Sequence, residues 1–150
     1  MHFQAELEAD DPRPRYNIAP TQDVAVIVED ERGRHLTAYR WGLIPPWAKD
    51  PSVGNRMINA RAETVATRPA FRDAFKHHRC LIPASRFYEW QRTGSGKIPH
   101  SIQRKKGEPM SLAGLWASWH DPERDEVVRS CTIITTTANG VLLPSMIACP

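Results

Sequence analysis

Two β-branched runs joined by a turn constrain this chain more than any other feature. DVAVIV (23–28) and HLTAYRWGLI (35–44) flank ERGR, a spacing that predicts strand, turn, strand. The pattern recurs in RCLIPA, FYEWQ, HSIQR, SLAGLWASW and VVRSCTIITT, with TGSGK and KKGEP as hairpin turns between runs. MINARAET predicts a strand entering a turn, and PPWAKDPSVGN a loop. A single segment, TRPAFRDAFKHH, has helical character: Thr67 can cap it, Pro69 sits in its first turn, and Phe71 and Phe75 share a face. About seven strands and one helix predict an α+β fold. It should be mainly antiparallel β, barrel-like or two packed sheets with few helices.

The chain has 150 residues, one domain's worth, so a single domain over 1–150 is expected. No apolar run approaches the ~20 residues that span a bilayer, and the first residues lack the apolar core of a signal peptide. No membrane partner is expected. Cys80, Cys131 and Cys149 have no CxxC spacing, which argues against a zinc site or a disulfide framework and fits a reducing, cytoplasmic setting. A net charge of +3 permits a nucleic-acid partner without requiring one.

Glu89 is the acid of most interest. It lies between Tyr88 and Trp90, and on a strand it faces away from both. A partly dry face would favour the protonated carboxyl and suit a general acid or base; the plainer reading is an exposed Glu with its aromatic neighbours in the core. In NARAET, Asn59, Arg61 and Glu63 share one face if extended, and an amide beside a guanidinium can hold a phosphate; a surface turn with a salt bridge is the alternative. Trp41, Trp116 and Trp119 read as core. Trp47, in a proline-rich loop, is either packed or free to stack on a base. KHHR (76–79) lacks metal-ligand spacing and reads as a solvated helix end. GSGK lacks the phosphate-loop pattern. Cys80 and Cys131 read as buried and inert.

The blocks RYNIAPTQ (15–22), RWGLIPPWAKD (40–50), NARAET (59–64), RCLIPASRFYEW (79–90), AGLW (113–116) and TIITTTAN (132–139) together resemble the SRAP family of abasic-site processing proteins. The resemblance implies a mainly antiparallel β fold with a basic groove for single-stranded DNA. It implies a monomer that needs no cofactor and no metal. It also implies capture of the ring-opened abasic sugar, an aldehyde, by the amine and thiol of an N-terminal cysteine as a stable thiazolidine. On this resemblance Asn59 orients the aldehyde end, Glu89 moves protons, Arg61 holds a phosphate and Trp47 stacks near the lesion.

Two departures qualify what the resemblance implies. The chain begins MHFQ where the family has M-C-G-R, and the family's H-x-R-M-P segment does not follow the TIITTTAN block. SMIACP (145–150) can be encoded so that a shifted frame yields His-Asp-Arg-Met-Pro. The expectation is therefore a family domain incomplete at both ends, truncated at its start and frameshifted near its close, with impaired chemistry. Cys149 is then an accident of frame. The alternatives are a non-covalent single-stranded DNA binding module and a Cys-type peptidase.

Overall fold

The computed structural model describes residues 6–7 and 15–137. The expectations for the first residues, for Asn139, for SMIACP and for Cys149 lie outside them. The described residues fall into two compact units. One runs up to Ile82 and resumes at Leu112–Thr135; the other comprises Pro83–Ser111 with Thr136 and Thr137.

The first unit is a closed barrel. Its strands are β1 (Glu6–Leu7), β2 (Asp23–Asp30), β3 (Gly33–Trp41), β4 (Asn59–Arg61), β5 (Arg79–Ala84), β8 (Met110–Asp121) and β9 (Glu126–Thr135). Sheet order is β1-β3-β2-β5-β8-β9-β4, and β3 also pairs with β9, which closes β2, β3, β9, β8 and β5 on themselves. The pairs β2–β3 and β8–β9 are antiparallel. The closing contact is parallel and short, Arg40↔Ser130 and Trp41↔Cys131.

Side-chain alternation explains why this sheet closes. Every barrel strand sends one face into a single cluster: Val24 and Val26 from β2, Tyr39 from β3, Cys80 and Ile82 from β5, Cys131 from β9, with Leu112 and Trp116 of β8 packed against it. A small barrel must be filled by such side chains. Gly114 is where the filling is tightest: a Cβ there would stand 2.9 Å from Ile82 Cδ1 and 3.0 Å from Cys80 Sγ. The opposite face of β8 gives Leu115 and Ala117 to a second cluster with Leu43, Ala60, Val65, Phe71 and Ala74. Leu115 is fully buried there, worth roughly 1.5–3 kcal/mol of apolar transfer.

Four expectations needed correction in detail. Nine strands form among the described residues: β4 is the strand entering a turn that MINARAET predicts, and β1 adds a short parallel pairing at the sheet edge that was not expected. Strand β3 stops at Trp41, not Ile44, since Gly42 takes φ 124° and its would-be Cβ would stand 2.5 Å from the Gly54 carbonyl oxygen. Helix α1 spans only Arg72–His77; the Thr67 hydroxyl donates to Thr64 O instead of capping it, and 62–67 are a turn. Phe71 and Phe75 still pack against one cluster, as their spacing predicts. KKGEP does turn the chain, but it leads from one unit to the other and not into a hairpin.

The second unit is built on the hairpin of β6 (Phe87–Thr93) and β7 (Gly96–Ile102). Its pairing runs unbroken from Thr93↔Gly96 to Phe87↔Ile102 around Gly94 and Ser95. The Thr93 hydroxyl donates to Gly96 O at 3.1 Å. This is the hairpin that TGSGK predicts.

Candidate functional site

Strand β4 is Asn59-Ala60-Arg61, exposed, buried, exposed. Ala60 belongs to the outer core cluster, so the strand's other face must carry Asn59 and Arg61 outward together. Strand β9 fixes the register, with Asn59↔Ile133, Ala60↔Ile134 and Arg61↔Thr135. Backbone bonds from Ile133 N to Ile58 O (3.1 Å) and from Ala62 N to Thr135 O (2.8 Å) hold both ends. The extension stops at Arg61, whose carbonyl accepts from Thr64 N and Val65 N at 3.1 and 2.9 Å. Glu63 therefore lies in a turn and does not continue the face. An amide and a guanidinium, side by side and solvent-facing, can together hold an anionic, oxygen-rich ligand.

Trp47 is 64% exposed, at the tip of a pinned loop. Pro45 O accepts from Ala48 N at 3.0 Å, and Ala48 O accepts from the buried Trp119 Nε1 at 2.7 Å. Beyond it, Asp50 caps the 3-10 turn Pro51–Arg56 through Ser52 N (2.8 Å) and Ser52 Oγ (2.7 Å). Those bonds, the backbone one first, hold the Asp50 carboxyl below its usual range. Proline restricts one side of the tryptophan and the cap the other, so the indole is presented at reduced entropic cost. Trp41, Trp116 and Trp119 are core, as expected: the first two pack against the barrel interior, and Trp119 is buried.

Glu89 sits on β6 of the second unit. Here the plainer reading inverts: Tyr88 and Trp90 are 48% and 59% exposed, while Glu89 is half-buried on the other face. Directly across the ladder stands His100, also half-buried. Sequence reasoning passed over His100, although TGSGK offered the signal. Counting outward from a two-residue turn pairs Glu89 with His100.

The remaining candidates carry less. Of the KHHR histidines, His78 packs against Trp116, ring centroids 4.4 Å apart, and His77 is exposed at the helix end. Burial pushes the Cys80 thiol up to about 12. Cys131 is driven higher still by burial, with smaller contributions from Cys80 and Asp23. Neither offers a thiolate near neutral pH. A groove of about 510 Å³ in the barrel unit, lined by Arg40, Lys49, Asp50, Trp119 and Glu123 among others, contains none of Trp47, Asn59, Arg61 or Glu89.

The family description SOS response associated peptidase (SRAP) matches residues 1–144. The chain belongs to the SRAP family. Among its relatives, abasic site processing protein YoqW of Bacillus subtilis (strain 168) is 46% identical over 130 residues, covering 86% of this chain and 58% of that protein. Abasic site processing protein YedK of Escherichia coli (strain K12) is 34% identical over 135 residues, covering 89% of this chain and 58% of that protein. A solved structure of a Bacteroides thetaiotaomicron protein superposes with a TM-score of 0.77 at 29% identity, covering 85% of this chain and 56% of that one. The chain thus spans less than two thirds of these relatives' length. Within SRAP, the mixed, mainly antiparallel β architecture expected here is the one found.

Proposed function

We propose that this protein engages single-stranded DNA at abasic sites and moves protons in the capture of their aldehyde, acting as a monomer in the cytoplasm. The observation that carries this is β4: Asn59 and Arg61 leave one face of an anchored strand toward solvent, a pairing suited to a sugar-phosphate end. Family membership and the names of the relatives, abasic site processing proteins, support the same conclusion. Arg61 holds a phosphate, Asn59 orients the aldehyde, and Trp47 supplies a stacking surface. Glu89 gives and takes protons as a primary amine adds to the aldehyde carbon and water leaves. The Cys-peptidase alternative gains nothing from Cys80 and Cys131, whose thiols are buried and held neutral.

Titration of the full chain with single-stranded and duplex oligonucleotides, with and without an abasic site, at two salt concentrations tests this. Single strands should bind more tightly, and affinity should fall with salt, because neutralised phosphates release their counterions. Equal affinity for duplex, or no salt response, would contradict it.

A further inference from the structure

The uninterrupted ladder of the β6–β7 hairpin places His100 opposite Glu89. Side chains directly opposed across an antiparallel pair have Cβ atoms roughly 4.5–5.5 Å apart, so imidazole and carboxyl share one patch of the hairpin's less exposed face. The ring is held in place. Its Nε2 lies 2.8 Å from Gln91 Oε1, on the diagonal neighbour. An amide oxygen only accepts, so the ring donates from Nε2 in that bond. The other residues of the two strands on this face, Phe87, Gln91, Thr93, Ile98, Ile102 and Gly96, are uncharged. Glu89 and His100 are its two titratable groups.

We propose, on the reading that Glu89 moves protons at the abasic aldehyde, that His100 is the positioning residue of Glu89. Its ring, oriented by Gln91, fixes the carboxyl from across the ladder. In the dehydrating step, the C–O bond of the amine–aldehyde adduct breaks as the nitrogen lone pair forms the C=N bond. The Glu89 proton departs with the hydroxyl as water, leaving a carboxylate beside the imidazole and an iminium on the DNA. His100 precedes the TIITTTAN block, so it is a different residue from the histidine of the H-x-R-M-P segment.

The test is single-turnover formation of the borohydride-trapped adduct between the full chain and an abasic single-stranded oligonucleotide. Four proteins are compared: the parent, Glu89→Gln, His100→Phe and the double variant. His100→Phe should slow the maximal rate roughly tenfold, while the half-saturating oligonucleotide concentration stays within about twofold. The double variant should be no slower than Glu89→Gln alone. A parent-like rate in His100→Phe, or a full second penalty in the double variant, would overturn the positioning role while leaving Glu89's own role intact. A parent-like rate in Glu89→Gln would instead remove the role of Glu89, and that of His100 with it. Melting temperature checks the fold. If His100→Phe does not fold, Gln91→Leu keeps the ring but releases it, and it should slow the rate about threefold; no slowing would count against the proposal.

Discussion

Strand β4 is three residues long and is held by β9, far along the chain. Strand β6 is seven residues long and is held by β7, across a turn of Gly94 and Ser95. Both carry residues proposed for the same chemistry, yet they are positioned by opposite means. Asn59 and Arg61 are aimed by the closed barrel, through Ala60 in its outer core. Glu89 and His100 are aimed by the pairing of one hairpin. A two-stranded ribbon is marginal by itself, whereas β4, although an edge strand, pairs with β9 of a closed barrel. The two regions should therefore answer perturbation differently.

Substitution of glycine by alanine breaks this comparison most sharply. At Gly42 an alanine meets a φ of 124° and a carbonyl oxygen 2.5 Å from its Cβ, and that oxygen belongs to the turn leading into β4. Gly42→Ala should cost on the order of 3 kcal/mol in urea unfolding, from backbone strain and forced displacement together. A loss under about 0.5 kcal/mol, the range of neutral surface changes, would mean that the Gly42–Gly54 approach is not a constraint.

An intermediate effect belongs to acid stability. At the β2–β3 turn, the Asp30 carboxylate accepts from His35 Nε2 (2.8 Å) and Arg32 N (2.8 Å). The His35 bond first, then the Arg32 backbone, hold its pKa down from 3.8 to about 2. A depressed carboxylate adds stability that is fully present above its unfolded value and is lost as pH falls through the folded one. Asp30→Asn should therefore flatten the fall in melting temperature between about pH 4 and pH 2. An unchanged slope would assign acid sensitivity to other groups.

The smallest effect is expected at the hairpin turn. A Cβ on Gly94 meets nothing within 4 Å. Gly94→Ala should change stability by less than about 0.5 kcal/mol in the same unfolding assay. A cost like that of Gly42→Ala would erase the contrast between the two regions.

How each region could be read from sequence follows the same division. The β6–β7 and β2–β3 hairpins were legible because alternation and turn residues lie within a few positions of each other. The parallel pairings β1–β3, β3–β9 and β4–β9 were not, since nothing in the short runs EL or NAR names a partner so distant. Alternation in FYEW correctly put Glu89 opposite its aromatic neighbours. It could not say which side would be covered, because that depends on packing and not on period. The start of α1 was misplaced for a related reason. Thr67 was a plausible cap, but Arg61 O and Thr64 O take the backbone donors of Thr64, Val65, Thr67 and Arg68 and wind a turn first.

The central claim is a division of labour: the barrel strand holds the DNA and the hairpin moves the proton. Trapped-adduct kinetics against oligonucleotide concentration, for Arg61→Ala and Glu89→Gln in parallel, test it most directly. Arg61→Ala should chiefly raise the half-saturating concentration and reduce the salt slope by about 0.7, the loss of one phosphate contact on a single strand. Glu89→Gln should leave half-saturation nearly unchanged and lower the maximal rate by about 10²-fold or more. If both variants lower affinity and rate in the same proportion, the two strands do not divide the work and the account is contradicted.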